Sequence, residues 1–198
     1  MCSSWRKPRR APPTVYTARA DAGQAKAIAA TESSFTIEVR FLGGLTEVQQ
    51  AAFAQAADRW ARVIVGDLPE VEIDGDVIDD LLILAQGVSI DGPGRILGQA
   101  GPTHVPTAGA GASAFLPAKG AMSFDTADLA KMEEEGTLND VITYEMGHVV
   151  GVGGLVWSLP NLLELAEEGA LVTHATPIDS GIMLPTIPLE LPGESLRH

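Results

Sequence analysis

The chain reads as an α+β domain on three observations. Phe35 to Phe41 (FTIEVRF) alternates apolar and polar residues, the period of a half-buried strand. Thr46 with Gln49 three residues on forms a capping box, directly before a helical apolar pattern. Strand-like and helix-like stretches then interleave as far as Gly151.

In order, residues 1–33 read as a basic, Pro-containing and then Ala-rich tail and linker, with a helix at Ala20 to Ala30. The strand at 35–41 ends at Gly43-Gly44. The helix opened by Thr46 runs to about Ile64, with Leu45, Val48, Ala52, Ala56, Trp60 and Val63 as its inner stripe. Residues 80–90 (DLLILAQGVSI) read as a second strand. Residues 91–112, rich in Gly, Pro and Ala, read as an irregular surface loop. Gly120 to Asp125 is a short strand and Thr126 to Glu135 a short helix. Thr137 with Asp140 repeats the capping pattern and opens a helix over 137–151. Leu162 to Gly169 reads as one more helix, and 175–198 as Pro-rich and irregular.

The 198 residues are enough for one compact domain with a sizeable core. Apolar residues make up 45% and charged residues 20%, which argues for a globular rather than a disordered chain. Arg6, Lys7, Arg9, Arg10 and Arg19 all precede the first acid, Asp21. The remaining 8 basic residues against all 26 acids leave the rest of the chain at −18. Such a body repels nucleic acid and anionic membranes. Cys2 is the one cysteine, so no internal disulfide forms, and it reads as a reactive tail thiol. No apolar run reaches the length of a membrane span. The basic start is followed by Ala11-Pro12-Pro13-Thr14 rather than the apolar stretch of a secretory signal. The expectation is a chain not exported as written, or a processed form.

Residues 144–148 read Tyr-Glu-Met-Gly-His. The zinc-protease pattern H-E-x-x-H places two His one turn apart on one helix face, where both grip one ion. Glu145 and His148 keep their places in it, and Tyr144 holds the first His position. A catalytic zinc needs three protein ligands and an open position. A carboxylate beside the first ligand takes the proton of the attacking water, and Glu145 is placed for that. Gly151 lets the chain turn so that a distant third ligand approaches.

The longer run LNDVITYEMGHVVGVGGL resembles the HEMGHVLGIGTLW segment of a family of bacterial zinc metallopeptidases related to leishmanolysin, within the metzincin group. Trp157 lies where that family has its Trp, displaced by a short insertion. SSFTIEVRFLGGLTEVQQAAFAQAADRWARVIVGDLP, GPGRILGQAGPT and AMSFDTADLAKMEEEGTLNDVI look like the same family, so the resemblance covers roughly 33–157. It implies a metzincin-like domain with a twisted mixed sheet, a backing helix and an active-site helix. An N-terminal lobe would span 34–155, and a small irregular C-terminal lobe 156–198. It implies zinc-dependent cleavage of a peptide or protein substrate, with Glu145 as general base and His148 as second zinc ligand; apart from the resemblance, a monomer is expected. His174 best matches the third ligand, and Met183 the methionine of the turn beneath the metal. Ala121 and Ser123, in the 120–125 strand, would sit on the sheet edge that holds substrate in extended form. The family tends to be exported.

Tyr144 admits three readings. It replaces a ligand and cripples the site; it binds zinc as a phenolate, with weaker affinity; or it is a replacement made to give an inactive scaffold. Phenols have a pKa near 10, a poor value for a ligand at neutral pH. His104, in a Gly/Pro loop, and His198, the last residue, read as solvated. Two rivals to the peptidase remain: a non-catalytic relative that binds peptide or protein, and an acidic structural domain with no ligand.

Overall fold

The computed structural model describes residues 13–152, and beyond them the backbone of 174–177 and 183–186. Its centre is a twisted five-stranded mixed sheet in the order β1-β2-β5-β7-β6, formed by Thr14–Arg19 (β1), Thr36–Gly43 (β2), Leu81–Val88 (β5), Lys119–Asp125 (β7) and Gly98–His104 (β6). Strands β2, β5 and β7 run parallel, and β1 and β6 close the two edges antiparallel. Val71–Ile73 (β3) and Asp76–Ile78 (β4) make a separate hairpin.

The parallel strands carry the apolar residues expected of a buried sheet. Ile37, Val39 and Phe41 of β2, Leu81, Ile83 and Ala85 of β5, and Met122 and Phe124 of β7 all join one core. Two helices fill its other side: α2 (Glu47–Ala61) and α4 (Leu138–Val149), packed on each other. Phe53 of α2 is fully buried and meets Phe41 and Phe124 edge-on, with ring centroids 5.9 and 5.5 Å away. Edge-to-face contact suits the ring quadrupoles.

The capping box of α2 forms as its sequence implies: Gln49 N donates to Thr46 Oγ1, and Thr46 N to Gln49 Oε1. Its inner face, however, is Gln49, Ala52, Phe53, Ala56, Ala57 and Ala61. Val48 and Val63, expected in the stripe, are exposed. Phe53 is the large side chain that finds the core, and the alanines beside it leave room for α4.

Helix α4 approaches the sheet through glycine. A Cβ on Gly120 would lie 2.4 Å from Val149 Cγ1 and 2.9 Å from the Gly101 carbonyl, so a bare backbone at Gly120 is what seats Val149. On its other flank, the Trp60 indole of α2 donates to the Thr143 carbonyl at 2.9 Å and covers Gly147. At the far end of β2 and β5, Gly44 (φ 74°) and Gly87 touch backbone to backbone.

The polar residues Glu38 and Arg40 alternate with the core residues of β2. Arg40 pairs with Glu38 within the strand and reaches Asp76 of the β3–β4 hairpin. Lys119 Nζ joins Asp74 at 3.1 Å and Asp76 at 3.3 Å. Asp80 ties the start of β2 to the loop before β3. It accepts from Thr36 N at 2.7 Å, Thr36 Oγ1 at 3.0 Å and Leu68 N at 2.7 Å.

Four expectations need correction. The tail to residue 33 stops early, because β1 pairs with β2 from Thr14 opposite Phe41 to Arg19 opposite Thr36. The helix at 20–30 is shorter: a turn, α1 (Ala22–Gln24), capped by Asp21, widens into π-type hydrogen bonding over Ala25–Ala29 and ends on left-handed Ala30. The capping pattern at Thr137 makes no cap, since Thr137 is already right-handed helical and its hydroxyl turns back to the Met132 carbonyl. Strand β6 occupies part of the expected 91–112 loop, and this moves the sheet edge, as described below.

Candidate functional site

The site residues ride on α4. Helix α3 (Thr126–Glu135) ends on left-handed Gly136 (φ 72°), and α4 starts two residues later. Leu138, Ile142, Met146 and Val149 recur at helical spacing and are buried, so they set the rotation of the helix. That rotation also buries Glu145, which is 4% exposed. Tyr144 and His148 are half-buried, one turn apart, with ring centroids 4.9 Å apart and planes at 86°.

Burial without compensation gives the Glu145 carboxyl its character. Loss of water pushes its pKa up to about 7, where a carboxyl both takes and gives a proton at neutral pH. The Tyr144 hydroxyl is buried with no hydrogen-bond partner among the described residues. Burial first, and the neighbouring Glu145 charge second, push it up to about 12. Tyr144 also lines a cavity of about 480 Å³ between α2 and α4, with Arg59 and Asp140 as its charged members and Trp60 as its largest apolar one.

Helix α4 stops as its sequence implies. Gly151 (φ 95°) takes the left-handed position, Gly151 N donates to the His148 carbonyl at 3.2 Å, and Val152 N to that of Gly147 at 2.9 Å. This Schellman pair satisfies carbonyls at the helix end and reverses the chain. His174 and Met183 open β8 (His174–Pro177) and β9 (Met183–Thr186), an antiparallel pair with His174 opposite Thr186 and Pro177 opposite Met183. Their side chains lie outside the described residues, as do Trp157, Cys2 and His198. Among the site candidates, the described side chains thus bring together Tyr144, Glu145 and His148.

The donors on α4 fit a zinc ion in part. His148 offers an imidazole of the right kind, and the unpartnered Tyr144 oxygen lies one turn from it. That oxygen keeps its proton in this setting, so it is a ligand only to a cation able to displace the proton.

The edge assignment of Ala121 and Ser123 is wrong. Both lie in β7, an interior strand: Ala121 pairs with Leu84 and Gly101, and Ser123 with Gln86 and Gln99. Strand β6 is the edge, and its sequence GQAGPTH hides it by lacking any alternation of large apolar residues. His104, at the end of β6, is half-buried: Nδ1 lies 3.1 Å from Thr103 Oγ1, and Nε2 3.7 Å from Asp74.

Two further acidic groups escaped the sequence reading. Asp67, Asp79 and Asp80 bring carboxylate oxygens within 4.8 Å of one another, but Asp80 is committed to the backbone and Thr36. Asp125 accepts from Ile90 N, Asp91 N and Gly92 N on one oxygen and from Ala127 N on the other. Those backbone N–H groups, Ala127 first, bring it down to about 2. Its place as N-cap of α3 was readable from an Asp directly before a helical stretch; its hold on the 90–92 loop was not. No family model matches the chain, and no curated protein matches it.

Proposed function

We propose that the chain is a metzincin-like peptidase domain of the leishmanolysin-related kind, acting on peptide or protein substrates and held back by Tyr144. The observation that carries this reading is Glu145: a buried carboxyl with a pKa of about 7, three residues before His148 on a helix packed under the sheet. An ordinary surface helix gives a glutamate neither burial nor that proton affinity. Glu145 takes the proton of the attacking water and returns it to the leaving amine. His148, with a third ligand for which His174 is the candidate, would hold the zinc. When bound, zinc polarises the scissile carbonyl and makes water acidic enough to attack at neutral pH. The outer edge of β6 would take an extended peptide by strand addition.

A second reading, a relative that binds peptide without cutting it, is favoured by Tyr144. Its hydroxyl keeps its proton and leaves one ligand position without a ready donor.

Zinc content measured on the full chain and on Tyr144→His, with peptide hydrolysis in the presence and absence of a chelator, separates the readings. One zinc per chain with chelator-sensitive cleavage supports the peptidase, and Glu145→Gln then abolishes cleavage. Zinc in Tyr144→His alone makes the chain a disabled peptidase that binds peptide. Zinc in neither variant rules out the metal site, and His174 as a ligand with it.

A further inference from the structure

The cavity of about 480 Å³ between α2 and α4 is a groove beside the candidate site. Arg59 and Trp60, from the last turn of α2, and Val63 just beyond it form one wall. Asp140, Thr143 and Tyr144, at helical spacing on one face of α4, form the other. The groove has the size of a small-ligand site, roughly 300–1,000 Å³. Most of its polar groups are already engaged. The Trp60 indole donates to the Thr143 carbonyl, the Thr143 hydroxyl donates to the Asn139 carbonyl at 2.7 Å, and the Tyr144 hydroxyl is buried. Arg59 and Asp140 remain. Both are exposed, and neither side chain has an ion-pair or hydrogen-bond partner among the described residues.

We propose that this groove takes a bulky uncharged side chain of a bound peptide together with its flanking peptide groups, an inference that rests on the reading that this chain binds peptide, whether or not it cuts. Trp60 is fixed by its N–H bond and by its contact with Gly147, so it gives the groove a rigid apolar wall. Val63, 68% exposed, and the Tyr144 ring extend that wall. Covering such a surface with an apolar side chain removes it from water. The two free charges decide which side chain. A cationic one would meet Arg59 and an anionic one Asp140, whereas a neutral one meets neither penalty. The peptide groups on either side of it carry a donor and an acceptor. Arg59 donates to such a carbonyl, and Asp140 accepts from such an N–H. The Tyr144 ring that lines the groove lies 4.9 Å from that of His148, so the seated side chain would sit one ring away from the position of a metal. In a cutting enzyme the groove would therefore set the residue preferred beside the scissile bond.

Titration of the full chain with N-acetyl-L-phenylalaninamide, without added zinc, tests this by NMR at the Trp60 indole N–H and the Val63 methyls. Saturable shifts at both are expected. The N-acetyl amides of glycine, lysine and glutamate should each bind about ten-fold more weakly or worse, since they lack the buried apolar surface. Val63→Asp, at an exposed position, should abolish the shift at Trp60 while leaving the far-UV circular dichroism unchanged. Arg59→Ala and Asp140→Ala should each weaken binding about five-fold, the loss of one hydrogen bond. No shift at Trp60, an equal response to the glycine compound, or tighter binding of either charged compound overturns the proposal, whatever the zinc content. So does saturable binding that survives Val63→Asp, which would place the peptide elsewhere. Binding in the groove by a chain that holds no zinc and cuts nothing upholds the groove and removes the peptidase reading alone. Cleavage whose preference for bulky apolar residues is unmoved by Val63→Asp removes the groove alone.

Discussion

Asp125 and Glu145 are both buried carboxyls, and their surroundings treat them in opposite ways. Asp125 sits where β7 turns into α3, accepting from the backbone N–H groups of Ile90, Asp91, Gly92 and Ala127. Its charge is wanted, and its pKa falls to about 2. Glu145 sits mid-helix against the core, and burial alone drives it up to about 7. The backbone uses the first carboxylate to shape a loop. The second spends stability to keep a proton available, as expected of a group that does chemistry. A count of buried acids would have treated the two alike.

The largest effect comes from breaking the Asp125 side of this contrast. Asp125→Ala leaves four backbone donors without their acceptor, so thermal unfolding should drop by more than about 8 °C. Calorimetry checks it; a drop within error would mean that the 90–92 loop is held by something else. The carboxylate's own pH dependence lies far down. Its folded pKa is lowered, so its contribution is lost as pH falls from 3.8 towards about 2.

The Glu145 side runs the other way. Its folded pKa is raised above the ordinary 4.5, so the folded chain binds more protons in between, and stability falls as pH rises from 4.5 to about 7. A displacement of that size corresponds to about 3 kcal/mol. Urea unfolding of the unaltered chain and of Glu145→Gln, at pH 4.5 and 8, should show the decline in the former and its absence in the latter. Parallel pH curves would remove the argument that Glu145 is a poised base.

The smallest effect sharpens the comparison at its neighbour. Tyr144→Phe deletes a buried hydroxyl that has no partner among the described residues, and should raise stability by about 1 kcal/mol at pH 8. A loss instead would reveal a partner for that hydroxyl beyond residue 152.

What could be read from the sequence follows from what each element is made of. Strands β2, β5 and β7 announce themselves because apolar runs bury on the sheet, and α2 because its cap is a local pattern. Strand β1 is hidden, since Thr14 to Arg19 follows a basic, Pro-rich stretch and becomes a strand only by pairing with β2. Strand β6 is hidden for a similar reason, and its absence made β7 look like an edge. The inner stripe of α2 was misrotated because two valines outvoted Phe53, and only the partner surface decides between them. At the site, the spacing of Tyr144, Glu145 and His148 on one helix was legible. The burial of Glu145 was not, because it depends on how α4 rests on Gly120 and beside Trp60.

The contact between Gly44 and Gly87 bears on how this chain can change over time. A Cβ on Gly44 would fall 1.9 Å from the Gly87 carbonyl oxygen, and one on Gly87 2.2 Å from that of Gly44. Each position is closed by the other's main chain rather than by a side chain. No compensating substitution exists, because shrinking the neighbour is impossible when it is already glycine. In a saturation scan both positions should reject every replacement, singly and together, marking a fixed point around which the rest of the sheet is free to drift.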